Sequence, residues 1–99
     1  MRIEELQRLK KALYQIATKH GIGKLYVFGS VARHESGDSS DVDFLIEMNE
    51  SYSALGVGAF QYEVQQLLGI NIDVIPTFAL ERIRDREFVK SVQSEAIAL

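Results

Sequence analysis

Residues 24–48 carry the pattern that most restricts how this chain can fold. KLYVF (Lys24 to Phe28) has the apolar and aromatic composition of a strand and stops at Gly29. DVDFLIEM (Asp41 to Met48) alternates Val42, Phe44 and Ile46 with Asp41, Asp43, Leu45 and Glu47. Side chains alternate across a strand, so the two aspartates share one face and the apolar set takes the other. In the first strand Leu25 and Val27 share a face, opposite Tyr26 and Phe28. Between the strands lie Gly29-Ser30, a short helix start over Ser30 to Arg33, and the turn-rich HESGDSS (His34 to Ser40), an expected exposed loop. An apolar sheet face needs cover, and the rest of the chain offers helices.

Ile3, Leu6, Leu9, Leu13, Ile16 and Ala17 recur at helical spacing and predict a first helix over about 3–19, ended by Gly21 and Gly23. Its basic face (Arg8, Lys10, Lys11) reads as solvated surface. Leu55, Ala59, Tyr62, Val64, Leu67 and Leu68 predict a second long helix, starting at Ser51 or Ser53 and ended by Gly69. Gly56 and Gly58 weaken its first turn. INIDVI (Ile70 to Ile75) is a third strand closed by Pro76, with Ile72 and Val74 on one face and Asp73 on the other. Glu81 to Ser94 is helical in pattern with Ile83, Phe88 and Val92 inward; Ala96 to Leu99 reads as a frayed end or a short last strand. The expected architecture is α/β: a single domain over 1–99, with a small mixed β-sheet flanked by helices.

Charge and composition narrow the function. The formal net charge of −3 argues against a general nucleic-acid binder, so no direct stable nucleic-acid binding is expected. The absence of cysteine excludes disulfides and thiolate metal sites and fits a cytoplasmic protein. No apolar run approaches the roughly 20 residues of a membrane span, and MRIEELQRLKK lacks the apolar core of a signal peptide.

The carboxylates and the Gly-Ser turn suggest the chemistry. Displacement at the phosphorus of a nucleoside triphosphate needs charge neutralised and oxygens aligned, and positioning and electrostatics dominate over covalent chemistry. Two hard cations about 3.5–4 Å apart can do both, and Mg²⁺ prefers carboxylate, phosphate and water oxygens. Asp41 and Asp43 are candidate metal ligands on one strand face; Asp73 joins them if its strand is adjacent, and can orient or deprotonate an attacking hydroxyl. Gly29 lets backbone approach phosphate without a Cβ, Ser30 offers donors at a helix start, and Arg33, one turn on, can reach a triphosphate. An EF-hand reading of DSSDVDFLIEMN fails, for it lacks the glycine at the sixth position and the glutamate at the twelfth. His20 and His34 are isolated and read as surface; in ERIRDRE the arginines and acids read as pairing on a solvated helix; Tyr14, Tyr52 and Tyr62 remain open between core, loop and interface.

GSVARHESGDSSDVD resembles the GS-x10-DxD signature of the nucleotidyltransferase superfamily related to DNA polymerase beta, and VFGSVAR…SSDVDFLIE resembles its minimal nucleotidyltransferase (MNT) branch. Members of that branch commonly act as antitoxins beside a HEPN-domain ribonuclease toxin. The resemblance implies a minimal nucleotidyltransferase domain, ATP as donor, Mg²⁺ as cofactor, and transfer of AMP to a tyrosine of a partner HEPN-type toxin. On that resemblance Gly29 and Ser30 hold phosphates, Asp41 and Asp43 bind metal, and Asp73 is the third carboxylate. Val31 stands where many members have Arg, and His34 where many have Gly. Two other readings stay open: an antitoxin that neutralises its partner by binding alone, and transfer to a small molecule or an RNA end.

Overall fold

The computed structural model describes residues 1–35, 41–49 and 54–99. The end of the turn-rich loop (36–40) and the expected helix starts at Ser51 and Ser53 lie outside the described residues. In chain order the described elements are α1 (Ile3–Arg8), α2 (Lys10–Lys19), β1 (Ile22–Phe28), α3 (Gly29–Ala32), β2 (Val42–Met48), α4 (Ala54–Leu68), β3 (Ile72–Pro76), α5 (Thr77–Leu80), α6 (Arg86–Glu95) and β4 (Ile97–Ala98). The strands form one sheet in the order β3-β2-β1-β4. β1 runs antiparallel to β2 and β4, whereas β2 and β3 are parallel, so the sheet is mixed as expected. Among the described residues, no helix is long and apolar enough to cross a membrane.

The alternation read from the sequence decides which layer each side chain enters. Leu25, Val27, Val42, Phe44, Ile46 and Ile72 are buried on one sheet face with Leu6 of α1, Leu13 of α2, and Phe60 and Val64 of α4. Phe44 and Phe60, both fully buried, meet edge to face with ring centroids 6.0 Å apart. Phe28 and Leu45 point the other way and pack with Leu80 of α5 and Val92 of α6. Burying each such side chain contributes about 1.5–3 kcal/mol, so the first layer, with the larger cluster, carries most of the stability. The α5–α6 layer is the thinner one.

Two side-chain contacts fasten the first layer. The Tyr14 hydroxyl accepts the Leu25 N–H at 3.0 Å and donates to the Leu99 carbonyl at 3.0 Å, which places this tyrosine among the structural ones and ties α2 to β1 and the strand beside it. Lys19 and His20 both pair with the Glu63 carboxylate of α4. His20 is therefore a partner in a helix–helix contact and not the isolated surface residue its sequence context suggests; His34 is exposed as expected. The closeness of α2 and α4 also explains Gly56: a Cβ there would stand 2.7 Å from the His20 carbonyl oxygen.

Several expectations need correction. The first helix breaks at Leu9 (φ −92°, ψ 5°), whose N–H is shared between the Glu5 and Leu6 carbonyls, and no glycine or proline marks the spot. Residues 81–85 form a turn and not the start of a helix. The reason is Asp85, whose carboxylate accepts the Phe88 N–H at 3.1 Å and so begins α6 as an N-cap. With the helix starting there, Val89 takes the inward position and Phe88 is left 39% exposed; Val92 is buried and Ile83 partly buried, as expected. Arg86 donates to the Glu81 carbonyl at 3.4 Å, so at that residue ERIRDRE contacts main chain. The last residues do form a strand, β4; α4 ends before Gly69; β1 begins two residues earlier than predicted and β3 two later.

Candidate active site

One row of residues crosses three strands at one end of the sheet. Phe28 at the end of β1 pairs with Asp43 of β2, and Asp43 pairs with Asp73 of β3. Here the parallel β2–β3 pairing matters: it sets the two aspartates in the same register and, by the period of two, on the same face. They open into a cavity of about 590 Å³ between the sheet and α6. Gly29, Arg33, Phe88 and Glu95 line it with them.

Asp43 is the strained group electrostatically. Its carboxyl is pushed up from the usual 3.8 to about 6, first by burial, then by the charge of Asp73 and a hydrogen bond with it, then by the charge of Asp41; Arg33 pulls the other way. A carboxyl held up by burial beside a second carboxyl marks a place where positive charge is wanted. The donor set, all carboxylate oxygen, fits a hard divalent cation such as Mg²⁺. Among the described residues, no group of three His, Asp or Glu side chains converges as a finished metal cage. Asp43 and Asp73 meet; Asp41 is exposed one residue before β2, and acts on Asp43 through its charge.

Gly29 turns out to serve Asp43. Its φ is +73°, and a Cβ built there would stand 2.3 Å from the Asp43 Oδ2. The absent side chain therefore makes room for a carboxylate before it makes room for any ligand. Ser30 lies in the first turn of α3, beside the cavity without being part of its lining; its carbonyl accepts the Glu35 N–H at 2.8 Å. Arg33, at the end of α3, lines the cavity as expected, with its guanidinium shared between Glu35 and Glu95. His34 next to it has φ +59°, in the region glycine favours, at the position where many members of the resembling family carry glycine. Sequence reasoning missed Phe88, Ser91 and Glu95, which form one side of the cavity from α6. Their spacing of three and four residues was the available signal, hidden because Phe88 was assigned to the core.

With this geometry in hand, comparison with known proteins is specific. The nucleotidyltransferase domain family matches residues 6–99. A candidate protein adenylyltransferase of Methanocaldococcus jannaschii, MJ0435, is 36% identical over 71% of this chain and 75% of its own length. A solved structure of a candidate minimal nucleotidyltransferase superposes with a TM-score of 0.79 at 30% identity, covering 100% of this chain and 97% of the other. The MNT antitoxin in the complex with a tri-AMPylated Shewanella oneidensis HEPN toxin shares the fold, with a TM-score of 0.62 at 12% identity over 93% of this chain and 69% of that one. This small mixed α/β chain belongs to the nucleotidyltransferase domain family and has the minimal form of that enzyme's fold.

Proposed function

We propose that the chain is an antitoxin that works as a protein adenylyltransferase, moving AMP from ATP to a tyrosine hydroxyl of a HEPN-type toxin. The observation that carries this reading is the pair Asp43–Asp73, aligned across parallel strands in a cavity that also holds Gly29 and Arg33. The relatedness to a candidate protein adenylyltransferase and the fold shared with an antitoxin of an AMPylated toxin support it. Cytoplasmic location belongs to the same reading.

In the reaction the tyrosine oxygen attacks the α-phosphorus, the bond to pyrophosphate breaks, and the phenolic proton is lost. Asp41, Asp43 and Asp73 would hold Mg²⁺, as two ions, which would supply neutralisation of the triphosphate and alignment of the oxygens. Asp73 lies at the start of β3 and is exposed, so it can accept the proton of the incoming hydroxyl. Asp43, the more buried of the two, stands opposite Asp73 in the register of β2 and β3. Gly29 and Ser30 offer main-chain N–H groups to the phosphates, and Arg33 offers charge. Phe28 and Phe88, edge to face at 6.5 Å, close the apolar side of the cavity.

The test is the intact mass of the co-expressed partner toxin after incubation with this protein, ATP and Mg²⁺. A gain of one or more AMP units, absent with D41N/D43N, is the expected result. A silenced partner in a stable complex with no mass gain would replace this reading with neutralisation by binding alone.

A further inference from the structure

Arg33 is the one cationic side chain among the described residues that line the cavity, and it shares that lining with three carboxylates, Asp43, Asp73 and Glu95. Its Nε donates to Glu35 at 2.9 Å and its Nη1 to Glu95 at 2.9 Å. Glu35 is two residues away, so its contact follows from the local backbone. Glu95 is 62 residues away and arrives through the packing of α6 beside α3. A guanidinium meets carboxylate and phosphate with the same planar fork of N–H groups. Glu95 therefore occupies donors that a phosphate would use.

We propose that Glu95 is an intramolecular competitor for Arg33: a built-in anion that lowers the cavity's affinity for a nucleoside triphosphate and is displaced when one binds. This inference rests on the nucleotide reading above. Two effects act in the same direction. Glu95 takes up part of the Arg33 fork, and its own charge repels incoming phosphates from the cavity wall. The pair can open without unfolding the chain, because Arg33 and Glu95 are 43% and 26% exposed and water can replace each partner. The opposite role, in which Glu95 holds Arg33 in the pose that grips phosphate, predicts the opposite sign for the same substitution.

Calorimetric titration of wild type, Glu95→Gln, Arg33→Ala and the double variant with ATP·Mg²⁺ and with tripolyphosphate·Mg²⁺ decides between them. Thermal melts establish that each variant is folded. Glu95→Gln keeps the side-chain shape and removes the charge. It is expected to bind both ligands about two- to fivefold tighter, the range set by an exposed ion pair, since the competition is for phosphate and not for the base. In the Arg33→Ala background the gain should shrink, because the contested fork is gone. An unchanged or weaker Kd for Glu95→Gln, or an equal gain without Arg33, overturns the proposal alone. ATP binding to none of the four proteins overturns the nucleotide reading and this proposal with it.

Discussion

Replacing Asp43 by Asn should make the metal-free protein more stable at neutral pH, although it removes a residue from the centre of the site. The Asp43 carboxyl ionises near 6 in the folded chain and near 3.8 when unperturbed. At about 1.4 kcal/mol for each tenfold change in proton affinity, holding it ionised costs the fold roughly 3 kcal/mol, reduced toward about 1 kcal/mol by solvent screening of this partly exposed group. The folded chain binds the proton more tightly than the unfolded one. The contribution of Asp43 is thus fully present below pH 3.8 and lost as pH rises through about 6. Asn keeps the shape and can still hydrogen bond to Asp73 without charge. Denaturant unfolding in EDTA at pH 7.5 should show Asp43→Asn more stable than wild type by about 1–3 kcal/mol, which for a domain of this size raises Tm by at least about 4 °C. Near pH 4 the difference should disappear. Mg²⁺ at pH 7.5 should narrow it by stabilising the wild type. An Asp43→Asn protein no more stable than wild type at pH 7.5, or equally favoured at pH 4, would refute the electrostatic account of the pair.

Four further outcomes are expected from the packing. Gly29→Ala adds a Cβ 2.3 Å from the Asp43 Oδ2 at a φ of +73°, so it should cost about 2 kcal/mol or more in chemical unfolding. Gly58→Ala, with nothing within 4 Å of the new Cβ on α4, should instead stabilise by about 0.5–1 kcal/mol in the same assay. Tyr14→Phe strips one partner from the Leu25 N–H and the Leu99 carbonyl; a loss of about 1–3 kcal/mol, with faster amide exchange along β4, is the expected reading. Phe44→Ala and Phe60→Ala should each cost about 3–5 kcal/mol, and a double-mutant cycle should return about 0.5–1.5 kcal/mol of coupling for their edge-to-face contact.

Much of the sheet was legible because a period of two is a strong signal. The apolar set Val42, Phe44 and Ile46 follows from alternation alone, and Leu45 facing the second layer follows from the same count. The meeting of Asp43 with Asp73 was only conditional, since it depends on β3 pairing with β2, and strand order is a tertiary fact. Features that local composition does not encode stayed hidden. Leu9 interrupts a helix in a stretch with no helix breaker, and Asp85 looks like one more charge in ERIRDRE until its carboxylate is seen capping α6. That cap sets where α6 starts, and Phe88 ends on the cavity wall rather than in the core, so the α6 side of the cavity went unread. Glu95 carries no motif; only the packing of α6 beside α3 brings it to Arg33.

The parallel register that sets Asp43 against Asp73 also works as a proofreading device. A slip of β3 by one residue along β2 would turn Asp73 into the packed layer that Ile72 fills and leave Asp43 alone at the opening. Such a molecule would bury an unpaired charge and lose the pair at once. Any signal that requires both carboxylates, from cation-induced stabilisation to turnover, therefore counts correctly assembled molecules rather than averaging over a distorted population.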